Sequence, residues 1–336
     1  MITKYNAPWH PLKSVILGKS YSENFYADIK NIKIRETLQK IARETEEDYK
    51  NIQKTLESLN VKVFRPDIAE SSIMDWIDYD GKINYSTASS CTLIPRPPMH
   101  PRDSQLIVGD EMYATTNEIN YYDNIFNVQD LKLVPNDRQF DAPMVTVIGD
   151  TLIVDTQDLP WLGNYVKSLF PNKKITAISV GGHNDAVYAP LLPGVLLSTH
   201  YKSSYSESFP DWEVYHIENQ SWDALPEWRQ FKHSNQTKWW MPGEEKNEEF
   251  NNFVGTWMEH WLGYVAETVF DVNLLMVDTK TVLVNNYHKG VFDFLKKHNI
   301  EPIIAPFRHR FFWDGGIHCI TSDLYREGES ENYIKN

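Results

Sequence analysis

The stretch Val145–Val154, VTVIGDTLIV, decides the fold. Two apolar runs of strand length flank Gly149-Asp150, a pair suited to a tight hairpin turn. The same pattern stands at Gln105–Ala114 (QLIVGDEMYA) and at Leu274–Val284 (LLMVDTKTVLV). A second unit accompanies the hairpins: a Leu-rich helical end, a polar break, then a β-branched run. It occurs at Ile52–Arg65, Tyr165–Ser179 and Val291–Pro306, with breaks at Leu59-Asn60, Pro171-Asn172 and His298-Asn299. A period of roughly 40 residues implies an array of like units, about five in a chain of this length. A doubly wound sheet would instead need a Gly-rich phosphate loop after an early strand. Gly18-Lys19-Ser20 lacks the rest of one. The expected fold is α/β, built from ββαβ-type repeats in a single domain over residues 1–336.

Two stretches read as helical additions, 34–59 and 222–269. In the first, Ile34, Leu38, Ile41, Ile52, Leu56 and Leu59 are apolar among charges. In the second, Phe250, Phe253, Val254, Trp257, Trp261 and Val265 recur at helical spacing, as core packing, a lid or an oligomer contact would require. The composition narrows the function. With 41% hydrophobic residues among 336, the chain can bury a large core. Its 46 acids against 33 Lys and Arg give a net charge of -13, a field that repels phosphates and anionic lipid. Nucleic acid and membrane are therefore not expected partners, and no apolar run is long enough to span a bilayer. The N-terminal Met-Ile-Thr-Lys-Tyr-Asn carries no apolar signal core, and the two cysteines, Cys91 and Cys319, form no C-x-x-C pair. A reducing cytoplasm without a zinc-thiolate site is the expected setting.

The chemistry-bearing segment is Trp313–Thr321, WDGGIHCIT. Gly315-Gly316 allows close backbone approach to a ligand, and Cys319 follows. A cysteine nucleophile needs a proton carrier nearby. Sequence neighbours on an extended chain face opposite ways, so a histidine distant in sequence is preferred to His318. Such a residue lies in Val180–Ser198, where His183 and Asp185 would share one strand face. A third metal ligand with clear spacing is missing, so no metal is expected. Asp141 in Phe140–Pro143 and Asp103 in Pro101–Asp103 both stand just before a hairpin, at matching positions of two repeats. Each has a plainer reading: a small buried cysteine, a chance His-x-Asp, ordinary turn aspartates.

Together these pieces resemble the guanidine-modifying superfamily, and within it the glycine amidinotransferases. The residues that carry the resemblance are PRDxxxxVGDE at Pro101–Glu111, FDA at Phe140–Ala142 and HxDxxxxPLxPGxxLS at His183–Ser198. NLLMVD at Asn273–Asp278 and GGIHCITSDLYREG at Gly315–Gly328 complete the set. The resemblance implies a five-fold pseudo-symmetric β/α propeller with Cys319 as nucleophile, His183 as acid/base and Asp141 as its partner carboxylate. It implies Asp185 and Asp103 as substrate-binding acids. It places Lys202 near where those enzymes carry a carboxylate-holding arginine, and Asp271 where they carry a small hydroxyl residue. Arginine and an acceptor amine such as glycine would be the substrates, with ornithine released and no cofactor, and a homodimer is compatible. A deiminase- or dihydrolase-type hydrolase is the alternative, and an arginine-binding scaffold the non-enzymatic one. Thr321-Ser322-Asp323 after GGIHC favours transfer. Cys91 belongs to no matching motif.

Overall fold

The structure is a computed structural model that describes residues 2–69, 71–77, 94–127, 131–199, 202–218, 239–262 and 269–335. Cys91 and much of the stretch 222–269 lie outside the described residues. The strands, in chain order, are β1 (Leu12–Leu17), β2 (Lys62–Phe64), β3 (Gln105–Val108), β4 (Glu111–Ala114) and β5 (Lys132–Leu133). They continue as β6 (Val145–Ile148), β7 (Thr151–Asp155), β8 (Lys174–Ile178), β9 (Tyr188–Leu192) and β10 (Val195–Ser198). The last are β11 (Glu213–His216), β12 (Leu275–Met276), β13 (Thr281–Val284), β14 (Glu301–Ile304) and β15 (Thr321–Arg326).

These form five three-stranded sheets of one design, an antiparallel pair with a third strand added in parallel. The expected hairpins are β3–β4, β6–β7 and β12–β13. Gly109 and Gly149 turn the first two at φ of 62° and 59°, a region that favours glycine. The helix-to-strand units are present too: α1 (Ile32–Ser58) leads to β2, α2 (Leu162–Leu169) to β8, and a later helix (Lys289–Lys297) to β14. Asn60 and Asn299, two of the predicted breaks, adopt φ of 61° and 58°, where asparagine is tolerated. The remaining sheets come from β9–β10–β11 and from β15 paired antiparallel to β1, with β2 alongside.

Asn31 caps α1 by accepting from the backbone N–H groups of Lys33 and Ile34. The helix buries Ile34, Leu38, Ile41, Tyr49, Ile52 and Leu56 along one stripe. It does more than add bulk. Asp48 accepts from Arg308 N and Nε at 2.7 and 2.8 Å, and Thr45 accepts from Trp313 Nε1 at 2.9 Å. This helix therefore braces the loop that leads to Cys319. Within the second expected addition, α3 (Glu248–Trp257) packs its Phe250, Phe253, Val254 and Trp257 face against the core and contacts α1. Among the described residues, no helix is long and apolar enough to cross a membrane.

Arg326, 1% exposed, locks β15 into place. It donates to the carbonyls of His10 and Met276, both at 2.6 Å, and to Asp323 Oδ2 at 3.0 Å. Arg102 reaches the other oxygen of Asp323 at 3.2 Å. Burial opposes the Asp323 charge, but these two guanidinium groups hold its carboxyl down at about 2. Asp323 thus titrates lower folded than unfolded: its contribution is complete above about pH 4 and is lost as the pH falls through 2. Arg326→Met leaves a buried carboxylate half-paired and should cost about 3–5 kcal/mol, read as a lowered urea midpoint with unchanged slope. A midpoint equal to the parent's would mean that the network contributes nothing.

Candidate active site

Short helical turns feed the hairpins: Pro101–Ser104 before β3, Ala142–Met144 before β6, Asn184–Ala186 before β9 and Val269–Val272 before β12. Asp103 lies within the first turn, Asp141 and His183 cap the second and third, and Asn273 follows the fourth. Cys319 stands just ahead of β15. Each of the five sheets therefore delivers a polar or nucleophilic side chain from the same place in its unit. His183 and Asp185 do not sit on a strand, as their spacing suggested, because Asn184–Ala186 forms a turn that separates their directions.

Cys319, His183, Asp141 and Asp103 line one cavity of about 230 Å³. Arg96, His100 and Asp314 add charge and polarity, and Trp261, Leu262 and Trp313 supply an apolar wall. Side chains pack tightly against the Gly-Gly pair. A Cβ at Gly315 would stand 2.4 Å from His100 Nε2, and one at Gly316 would stand 2.6 Å from Asn273 Oδ1.

His183 Nε2 lies 3.2 Å from Asp141 Oδ2, and its Nδ1 is 4.0 Å from Asp103 Oδ1. Burial opposes the imidazolium, but the Asp141 hydrogen bond and the charges of Asp103, Asp185 and Asp141 outweigh it and raise its pKa to about 10. Burial pushes Asp103 up to about 6, against the pull of His183 and Arg96. It likewise lifts Asp314 to about 7. Burial also drives the Cys319 thiol well up, and Asp185 and Asp103 push the same way; N–H groups of Gly316 and Asn273 oppose them. The resting site is a neutral thiol facing an imidazolium and carboxylates.

Behind the sulfur lies a second layer. Asn273 Nδ2 donates to Cys319 Sγ at 3.0 Å, while its Oδ1 accepts from the N–H groups of His318 and Cys319 at 3.0 and 3.1 Å. His318 Nδ1 pairs with Asp185 Oδ2 at 2.7 Å, and that oxygen is 3.6 Å from Sγ. Burial opposes the Asp185 charge, but His318, His183 and Arg102 hold its carboxyl below the ordinary carboxylate range. Asp185 and His318 thus face the nucleophile from the rear, outside the lining of the front cavity.

Lys202 and Asp271 are not brought to this cavity. Asp271 is buried in the turn before β12 and accepts from Asn286 at 2.7 Å, while Asn273, after that turn, takes the place facing the sulfur. Sequence reasoning overlooked Asn273, Arg96, His100 and Asp314. Asn273 had a signal, since it precedes its strand as Asp103 and Cys319 precede theirs.

No protein-family model matches the chain. Over 71 residues, 21% of this chain and 20% of the relative, it is 31% identical to the L-arginine:L-lysine amidinotransferase of Pseudomonas savastanoi pv. phaseolicola. Over 232 residues it is 22% identical to inosamine-phosphate amidinotransferase 1 of Streptomyces glaucescens, covering 67% of this chain and 55% of that one. The chain thus spans little more than half, or less, of the curated relatives it matches. The solved inosamine-phosphate amidinotransferase of Streptomyces griseus superimposes with a TM-score of 0.65 at 17% identity, covering 99% of both chains. The chain has the fold of guanidine-modifying enzymes, and its relatives in sequence are amidinotransferases.

Because His183 titrates higher folded than unfolded, the stability it contributes is full below about pH 6.5 and is lost as the pH rises through 10. Asp141→Asn removes the hydrogen-bonded carboxylate, so NMR of the imidazole should show its titration moving to lower pH. A His183 ring that already titrates near pH 6.5 in the parent would contradict this electrostatic account.

Proposed function

We propose that this protein is an amidinotransferase that carries the amidino group of L-arginine through Cys319 to an acceptor amine such as glycine and releases ornithine. The observation that carries the reading is the cavity itself: the Cys319 thiol, the His183 imidazolium and the carboxyl groups of Asp141 and Asp103, each delivered from a different sheet. A guanidinium arrives as a planar cation that cannot shed its proton near neutral pH. Carboxylates can hold it bidentately and set its carbon over the sulfur. The five sheets would stand around this centre as a propeller within one domain.

The incoming cation offsets the field of Asp103 and Asp185 on the thiol, which then loses its proton to solvent. The thiolate of Cys319 bonds to the guanidinium carbon. As the tetrahedral adduct collapses, the bond from carbon to the ornithine nitrogen breaks and His183 supplies the proton to that nitrogen. An amidino-cysteine remains. The acceptor amine attacks the same carbon, His183 takes up a proton, and the carbon–sulfur bond breaks to regenerate the enzyme. Trp261, Leu262 and Trp313 provide the apolar cover that lets the intermediate outlast attack by water.

Labelled arginine alone should therefore give a burst of ornithine near one equivalent per enzyme, with little citrulline or urea. Glycine or another primary amine should restore turnover with ping-pong kinetics and yield a new guanidino product. Continuous citrulline or urea formation, indifferent to every amine in a panel, would make the protein a hydrolase instead.

A further inference from the structure

His100 borders the same cavity as Cys319, and the residue is 6% exposed. Arg96 Nη2 lies 2.8 Å from His100 Nδ1. A guanidinium has only donors, so Nδ1 must be the nitrogen with the lone pair. Burial, with Arg96 and His183 as neighbouring cations, holds the imidazole pKa well below its ordinary value, against Asp185. A neutral ring with a bare Nδ1 carries its hydrogen on Nε2. Among the described residues that buried N–H meets no acceptor. An orphan donor of this kind is costly and calls for a functional partner.

Gly315 shows where the donor stands. A Cβ there would be 2.4 Å from His100 Nε2 and 3.3 Å from Cys319 Cβ, so donor and nucleophile flank one glycine. The sulfur has one neutral donor already, Asn273 Nδ2 at 3.0 Å, and an unfavourable carboxylate, Asp185, at 3.6 Å. We propose that His100, fixed by Arg96 in its Nε2–H form, donates a hydrogen bond to the Cys319 sulfur as the thiolate forms, and is a catalytic residue of the reaction proposed above. A neutral donor suits this place. It stabilises the thiolate without repelling the guanidinium that must approach it, as a further cation would. Arg96 acts through the ring and is a positioning residue.

The inference rests on Cys319 being the nucleophile, and its test reads the sulfur directly. In a Cys91→Ser background, alkylation by iodoacetamide is followed across pH and assigned to Cys319 by mass spectrometry. His100→Met keeps the bulk and removes the donor; His100→Gln returns an N–H close to the Nε2 position. The Met variant should shift the alkylation profile to higher pH and lower kcat roughly 10- to 100-fold, the weight of a hydrogen bond to a charged group, with KM little changed. The Gln variant should recover most of both. An unchanged profile in His100→Met, or an effect confined to KM, overturns the proposal. If His100→Met does not fold, Arg96→Met must give a smaller shift in the same direction, and no shift overturns it. Because alkylation needs no substrate, a shifted profile in a protein inactive on arginine would retain the donor role and reject only the activity.

Discussion

The carboxamide of Asn273 is the contact on which the site depends. Its oxygen takes the backbone N–H groups of both His318 and Cys319, and its nitrogen reaches Cys319 Sγ and the Asp185 carboxylate. Three separate units meet there: the entry to β12, the entry to β15 and the turn before β9. Asn285 secures the arrangement from below, donating to the Asn273 carbonyl at 2.7 Å and accepting from Ile317 N at 2.8 Å. Gly316 is required because any Cβ would strike this carboxamide. Removing one amide side chain would therefore unsettle the nucleophile's backbone, its sulfur and the acid behind it together.

Around that anchor the site is held in electrostatic opposition. Burial drives the thiol up, and the neighbouring carboxylates push both it and His183 the same way. On the reading proposed above, the free protein would keep the proton for a leaving amine and withhold the thiolate. A planar cation resolves the conflict, because it offsets the acids when the sulfur must ionise. Water and neutral amines lack that charge and would not activate the thiol. On the proposed reading, selectivity and activation have the same physical source. The Arg102–Asp323–Arg326 network beside the rear layer is already satisfied by its own charges and by backbone carbonyls.

Much of the architecture was legible in the chain. Gly-Asp turns between apolar runs marked two hairpins, and asparagines after Leu-rich helical ends marked breaks where a left-handed residue is needed. The β9–β10 hairpin escaped that pattern because Pro190 interrupts it. β9 is an edge strand, where a missing donor is tolerated. The sheet that joins β15 to β1 and β2 could not be read locally, since its partners lie far apart in the chain. Cys319, His183, Asp141 and Asp103 were placed by motif and converge on one cavity. Asp185 was also singled out, yet it faces the sulfur from behind, because a turn replaces the strand its spacing implied. His100 was beyond reach: the role proposed for it depends on Arg96 and Gly315 meeting it in space. The helix 32–58 looked like an appendage, and contacts such as Asp48–Arg308 and Thr45–Trp313 show that it braces the loop leading to Cys319.

The central claim is that Cys319 carries the transferred group. Intact-protein mass spectrometry after rapid mixing with arginine, in the absence of any added amine, tests it most directly. The account predicts a gain of one amidino group, mapped to Cys319 by peptide digestion, absent from Cys319→Ala and discharged when glycine or another accepted amine is added. Steady product formation by Cys319→Ala, or an amidino group found on any other residue, would contradict it.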